Sequence, residues 1–263
     1  MTISETSEPS TPTTKSKSKS KLRRWIALGL LLVVAVGTFG LLRPILFQRG
    51  RNKILSEWQD RGVYVRRKSA GPGWLKQISP YLADLVGKIS PQVTVISDLK
   101  GTFTDDDFQK LPQFPELERL KLFESKLTES AWGHIGRCRR LMILEISYVP
   151  LSKSSLQNVS NLKQVHSLLL EHTGICDDDL APLADLSGLR SIYLHEPRIT
   201  DAGLKMMQEW KSSLYEVNVR GSKVTLKAAK EFMKSKLPTF SVVHIGPEIP
   251  KPGRRPRKKV QTQ

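Results

Sequence analysis

The chain repeats itself every 24 residues, and that period limits what it can fold into. The stretch Leu189 to Trp210, LRSIYLHEPRITDAGLKMMQEW, shows the unit. Leu189-x-x-Ile192-x-Leu194 alternates at its end as a half-buried strand does, and Ile199, Leu204, Met207 and Trp210 follow at near-helical spacing. Steps of 24 residues place first-strand positions at Val93, Leu117, Leu141, Val165 and Leu189, then at Leu214 after one extra residue in the turn Lys211-Ser212-Ser213. Seven slots per unit should be apolar. Forty of the forty-two are, where a hydrophobic content of 39% would give about 16 by chance. The exceptions are Asp98 and Ser235. A seventh strand is expected as Leu237-x-x-Phe240-x-Val242, within 237–245.

A unit of one strand and one short helix cannot bury its own apolar side, so such units stack, and the ends of the stack need covering. Upstream of the repeats, Asn52 to Arg61 reads as an amphipathic helix with Ile54, Leu55 and Trp58 on one face, ended by Gly62. Val63-Tyr64-Val65 reads as a strand, and Pro80 opens a second helix with Leu82, Leu85 and Val86 inward. These pieces, within 43–92, are expected to cap the array.

The formal charge of +17 raises the question of a nucleic-acid partner. From Val93 to Pro238 there are 20 basic and 19 acidic residues, so the repeats, over 93–245, are nearly neutral. The excess lies in the flanks: 6 basic and 2 acidic residues in 1–24, 8 and 2 in 43–68, 6 and none in 251–263. That distribution argues against nucleic acid, whose binding would concentrate charge on the folded face. Residues 1–24 carry no apolar periodicity and are expected to be disordered, as is the Pro-rich basic tail 246–263, which offers a surface for a polyanion.

Trp25 to Leu42 runs 18 residues without a charge, between Lys21, Arg23, Arg24 and Arg43. It reads as a short membrane span with Trp25 at the interface; the rival is a cleaved signal peptide with Ala35-x-Gly37 as its small-residue pair. The denser basic cluster precedes the span, which predicts a cytoplasmic N-terminus and repeats on the outer side of the membrane.

Each helix is preceded by a residue suited to accept from its free N–H groups: Thr104, Thr128, Ser152, Thr200 and Thr225, with Cys176 in the fourth unit. Asp105 to Asp107, Asp177 to Asp179 and Asp201 follow, where negative charge suits the helix dipole; a metal site is the competing reading. Cys138 and Cys176 fall two repeats apart, beyond the roughly 7 Å limit for a bridge.

Leu-x-x-Leu-x-Leu, a turn, then Ile-Thr-Asp-x-Gly-Leu, as at Leu189 to Leu194 and Ile199 to Leu204, resembles the leucine-rich repeat. The likeness is to short variants with helical convex sides, in ribonuclease-inhibitor-like and bacterial membrane-anchored repeat proteins. It implies an α/β solenoid: six repeats plus a terminal strand, parallel strands on a concave face, helices on the convex face and, after the N-terminal transmembrane helix 25–42, protein partners bound by the strands. The family's usual Asn after the strand is replaced by Gly101, Ser125, Val149, Thr173, Pro197 and Ser222. The three hydroxyls among these are expected to bond turn backbone.

If the slot residues point inward, their strand neighbours face the concave side. The central column is then Ser97, Lys121, Glu145, Leu169, Tyr193 and Asn218. Phe123, Ser147, Glu171, His195 and Arg220 flank it on one side, Arg119, Ile143, Ser167, Ser191 and Glu216 on the other. Phe123, Leu169 and Tyr193 are apolar or aromatic groups among charges, as interface anchors are. Lys121 faces Glu145 across neighbouring strands as a candidate pair. His195 with Glu171, and His172 with Glu196, form the one cluster from which a metal or acid–base site could be argued, and no nucleophile, phosphate loop or third ligand accompanies it. The reading is a membrane protein, not an enzyme and without a cofactor, that presents its repeats to an unknown protein partner. The alternative is a tether attached through its basic C-terminal tail.

Overall fold

The computed structural model describes residues 48–69, 71, 73–89, 91–210, 214–235, 242–244 and 246. The expected span 25–42 and nearly all of both tails therefore lie outside the described residues. No helix among those described is long and apolar enough to cross a membrane. The chain divides into two units, Met1–Gly50 and Arg51–Gln263, and nearly every described residue belongs to the second.

The elements alternate as the period requires. A helix over 48–60 (α1) is followed by β1 (Tyr64–Lys68), α2 (Gly73–Ile78) and α3 (Pro80–Ile89). The repeats supply β2 (Gln92–Asp98), α4 (Asp105–Lys110), β3 (Arg119–Phe123), α5 (Glu129–Ile135), β4 (Ile143–Ser147), α6 (Lys153–Val159) and β5 (Ser167–Glu171). A 3-10 helix (Asp177–Asp185) comes next, then β6 (Ser191–His195), α7 (Asp201–Gln208), β7 (Glu216–Asn218), α8 (Leu226–Ser235) and β8 (Val242–His244). The 3-10 geometry falls on the unit with Pro182 inside its helix, where the missing N–H and the ring weaken the α-helical ladder.

The strands form one sheet in chain order, β2 to β8 parallel and β1 antiparallel to β2. Each parallel step advances 24 residues, Leu120 to Leu144 to Leu168 to Ile192, then 25 to Val217. The apolar slots build a continuous core: all are buried except Leu127, Leu151 and Val224, which pack against it partly buried, and Ser235, which is exposed. The last strand departs from expectation. Val243 pairs with Val217, the place the sequence suggested for Phe240, so β8 is set three residues further along the chain than expected. Both registers satisfy the apolar pattern, and pairing to β7 selects the later one.

At the other end α1 and β1 cover the first repeat. Trp58 is fully buried, with ring centroids 5.0 Å from Phe103 and 5.3 Å from Phe114. Its indole donates to Asp107 at 2.7 Å, and Arg61 clamps the same carboxylate with two bonds of 2.6 and 2.9 Å. Burial works against charge on Asp107, but these donors and Thr104 outweigh it and hold the carboxyl below its ordinary range. The strand after α1 starts at Tyr64 rather than Val63, which is buried just before it. Leu82 and Leu85 of α3 face outward, contrary to the expectation; the residues turned inward are the small Ala83 and Gly87. Small residues there let the backbones approach closely, since a Cβ on Gly71 would lie 2.0 Å from the Ala83 carbonyl oxygen.

Between repeats, side chains form a ladder on the helix side. The acid that opens one helix accepts from the residue that precedes the next: Asp105 from the Thr128 N–H at 2.9 Å and also its hydroxyl, Glu129 from the Ser152 hydroxyl at 2.7 Å. Asp177 accepts from Thr200 at 2.9 and 2.5 Å, and Asp201 from Thr225 at 2.7 and 2.9 Å. The two aspartate triplets thus divide their labour. Asp105 and Asp177 reach to the next repeat, Asp107 and Asp179 bond the residue before their own helix, and Asp106 and Asp178 face solvent. The hydroxyls of Ser152, Thr200 and Thr225 accept from their own helix start as expected, whereas the Thr128 hydroxyl is turned to Asp105. Where the pattern would ask for a rung between residues 153 and 176, the chain has Lys153 and Cys176. Cys138 and Cys176 are both free thiols; burial pushes the Cys138 thiol up to about 12.

Candidate functional site

Strand pairing sets the candidate residues in rows. Ser97, Lys121, Glu145, Leu169, Tyr193 and Asn218 are direct cross-strand partners, as the period predicted. So are Phe123, Ser147, Glu171 and His195 on one side, and Arg119, Ile143, Ser167, Ser191 and Glu216 on the other. Arg220 does not join its row. β7 stops at Asn218, whose side chain accepts from the Arg220 N–H at 3.2 Å and turns the chain there.

The rows are tied across strands. Lys121 and Glu145 form the expected pair at 2.9 Å. The Tyr193 hydroxyl donates to Glu216 at 2.8 Å; burial first, and then this carboxylate, push the phenol up to about 12, so it stays a donor at neutral pH. The Ser147 hydroxyl donates to the buried Glu171 at 2.7 Å, and the His195 ring lies 3.3 Å from the Asn218 amide oxygen. Phe123, Leu169 and Tyr193 are each half-buried, with part of the side chain open on the face.

Two features of this face escaped the sequence reading. β1 lengthens it: Tyr64 pairs with Ser97 and Arg66 with Val95, so the capping strand heads two rows. Arg66, Arg67, Lys68 and Arg119 then line a groove that also includes Glu118, giving this end a positive balance. The alternation Val63, Tyr64, Val65, Arg66, inward and outward in turn, carried that signal. The second feature is an aromatic row at the strand ends. Tyr148 lies edge-on to Phe123 at 5.4 Å and stacks on His172 at 4.8 Å. Glu124, Tyr148 and His172 all take left-handed backbone, with φ of 53°, 58° and 51°. Their N–H groups point to the next repeat, to the carbonyls of Ser147, Glu171 and His195. Such a conformation is uncommon outside glycine, and here one inter-repeat hydrogen bond per turn holds it.

Below that row the turns are pinned by buried carboxylates. Asp98, the exception among the apolar slots, is fully buried and accepts from the N–H groups of Lys100, Thr102 and Phe103 and the hydroxyls of Thr102 and Ser125. Glu196 accepts from the Thr173 N–H, from its hydroxyl at 2.7 Å and from the Gly174 N–H at 3.2 Å. Ser125 and Thr173 therefore bond side chains of adjacent repeats, not turn backbone as expected; Ser222 alone of the three takes the expected role, donating to the Val219 carbonyl at 2.6 Å. His172 and Glu196 stand one repeat apart; the His172 ring stacks on Tyr148, and Glu196 accepts from the turn at Thr173 and Gly174. Among the described residues no three of His, Cys, Asp and Glu are grouped to hold a metal ion.

Repeat strands that run parallel in chain order and advance 24 to 26 residues per step, with a helix on each crossover, have the architecture of a leucine-rich-repeat solenoid, here covered at one end by a helix and an antiparallel strand. Among solved structures the chain is similar to internalin C2 of Listeria monocytogenes, at 18% identity and a TM-score of 0.40, over 62% of this chain and 83% of that one. It is also similar to an internalin, inlF, of the same organism, at 16% identity and a TM-score of 0.39, over 54% of this chain and 38% of that one. No family model matches the sequence, and no curated protein matches it.

Proposed function

We propose that the chain is a membrane-anchored interaction module that holds a protein partner on its strand face. The observation that carries this reading is the in-register face itself, where half-buried Phe123, Leu169 and Tyr193 stand among Lys121, Glu145, Glu171, His195 and Asn218 on a hydrogen-bonded sheet. Aromatic and aliphatic anchors ringed by polar groups are what interfaces use, and a rigid backbone lowers the entropy lost when a partner docks. Arg66 and Arg119 at one end of the face and the half-buried Glu216 at the other favour a partner whose own charge runs the opposite way. Catalysis has no part in this reading.

The anchor rests on the uncharged run 25–42. In this reading the N-terminus is cytoplasmic and the repeats lie on the outer side of the membrane. The test is a full-length Leu169→Ala/Tyr193→Ala variant against the parent chain in their native membranes. Loss of partner capture, with urea unfolding retained, supports the reading; undiminished capture refutes it. Protease added outside intact cells should digest the repeats and leave an N-terminal stub, and protection of the repeats would reverse the topology.

A further inference from the structure

Eight large apolar side chains are strongly exposed among the described residues, and four of them sit together on the cap: Ile78 (73%), Tyr81 (77%), Leu82 (46%) and Leu85 (43%). Their spacing, three and four apart, gathers them on one face. The helices α2 and α3 meet almost without a break, because the Ser79 N–H still bonds Leu75 and the Ala83 N–H bonds Ser79. A soluble helix of this kind turns such a stripe inward. Here the inward positions are Ala83 and Gly87, and the stripe is left on the outside.

We propose that this stripe rests in the headgroup region of an anionic bilayer and lays the cap against the membrane surface. The inference rests on the anchoring reading. Three observations select lipid as the occupant. Only residues 43–47 lie between the uncharged run and helix α1 in the chain, so a run held in the bilayer tethers the cap to it. Residues 43–92 carry ten basic and three acidic groups, a charge that suits anionic headgroups. The stripe itself is two leucines and an isoleucine with a tyrosine, the composition of a helix lying in the interface, where Tyr places its hydroxyl among the headgroups. The strand face is thereby held at a fixed attitude to the membrane.

The experiment uses the full-length chain in phosphatidylcholine vesicles with and without phosphatidylglycerol. An environment-sensitive fluorophore is attached at Leu82→Cys or, as control, at Lys227→Cys on exposed α8, in a Cys176→Ser background; Cys138 is buried, with its thiol up at about 12, and does not compete for label. The expected result is blue-shifted emission at position 82, quenched several-fold more by nitroxide lipids than at 227, shielded from iodide, and strengthened by phosphatidylglycerol. Replacing Ile78 and Leu85 by Asp should return the probe at 82 to water. Equal iodide quenching at the two positions, in a chain that resists alkaline carbonate extraction, overturns the proposal and leaves the anchor standing. Release by carbonate removes the anchor and the proposal together. A blue shift that grows with protein density and ignores nitroxide lipids overturns it in favour of a second copy of the chain on the stripe.

Discussion

Asp98 shows how a residue that breaks the pattern can hold the structure that the pattern specifies. A fully buried carboxylate accepts from three backbone N–H groups and two hydroxyls, and through Ser125 ties its turn to that of the next repeat. Asp98→Ala should cost about 2–4 kcal/mol in urea unfolding, because it leaves those donors buried and unpaired; a cost below about 0.5 kcal/mol would show that the turn does not depend on it. The sequence flagged Asp98 as an exception but could not say why. Glu196, outside the apolar slots, stood out only beside His172 as a candidate acid–base group, and its role in pinning the turn at Thr173 had no sequence signal. The sequence gave no warning of left-handed backbone at Glu124, Tyr148 and His172 either, since none of these residue types demands it; the neighbouring repeats impose it. Acid should find another residue-scale weakness. Hydrogen bonds from Thr128 hold Asp105 below its ordinary pKa, and hydroxyls of Ser154, Ser152 and Ser155 do the same for Glu129 against the opposing effect of burial. A depressed folded pKa means stability that is present above the ordinary carboxylate range and lost as pH falls through the folded value. The urea midpoint should therefore fall as pH drops below about 4, and fall less steeply in Thr128→Val, which keeps the fold but removes the hydroxyl.

At the scale of elements, the ladder of helix-opening acids joins one crossover to the next, and it skips a rung between α6 and the 3-10 helix. Lys153 stands where four of the other five units have Asp or Glu, the last having Leu226, and Cys176 stands where the other five have Thr or Ser. Lys153→Asp combined with Cys176→Thr should install the missing rung and raise stability by about 0.5–1 kcal/mol beyond the sum of the single changes, measured as a double-mutant cycle; additive effects would contradict it. The acids were legible as helix starts because charge and dipole are local matters. Their second role was not, because it depends on the stacking distance between repeats. The same limit explains α3, whose apolar stripe is legible as a stripe while its direction is not: inward and outward faces differ by which neighbour exists, and Ala83 offers little signal against Leu82 and Leu85. β8 fails for a related reason, since Leu237 and Phe240 begin equally good patterns and only pairing decides.

For the molecule as a whole, the 24-residue period was enough to foresee the order of strands, their parallel pairing, the core slots and the rows of the candidate face. Each follows from stacking identical units, which needs no long-range information beyond the step length. The ends do not repeat, and there the reading thinned: the cap's covering role was foreseen, but not that β1 would add Tyr64 and Arg66 to the face, nor that Asp107 would lock it through Trp58 and Arg61. Removing that lock by Arg61→Ala should cost about 3 kcal/mol, leaving a buried carboxylate short of its partner, with hydrogen exchange accelerated first in β2 and α4; uniform acceleration across the repeats would contradict this. Whether the strand face meets a partner, as proposed, is tested by photocrosslinking from a probe installed in the full-length chain, in its native membranes, at Leu169 or Tyr193, with Arg137 and Lys227 on the helix side as controls. One discrete adduct is expected from both face positions and none at that mass from the helix side. The same adduct from Arg137 or Lys227, with none from Tyr193, would contradict it.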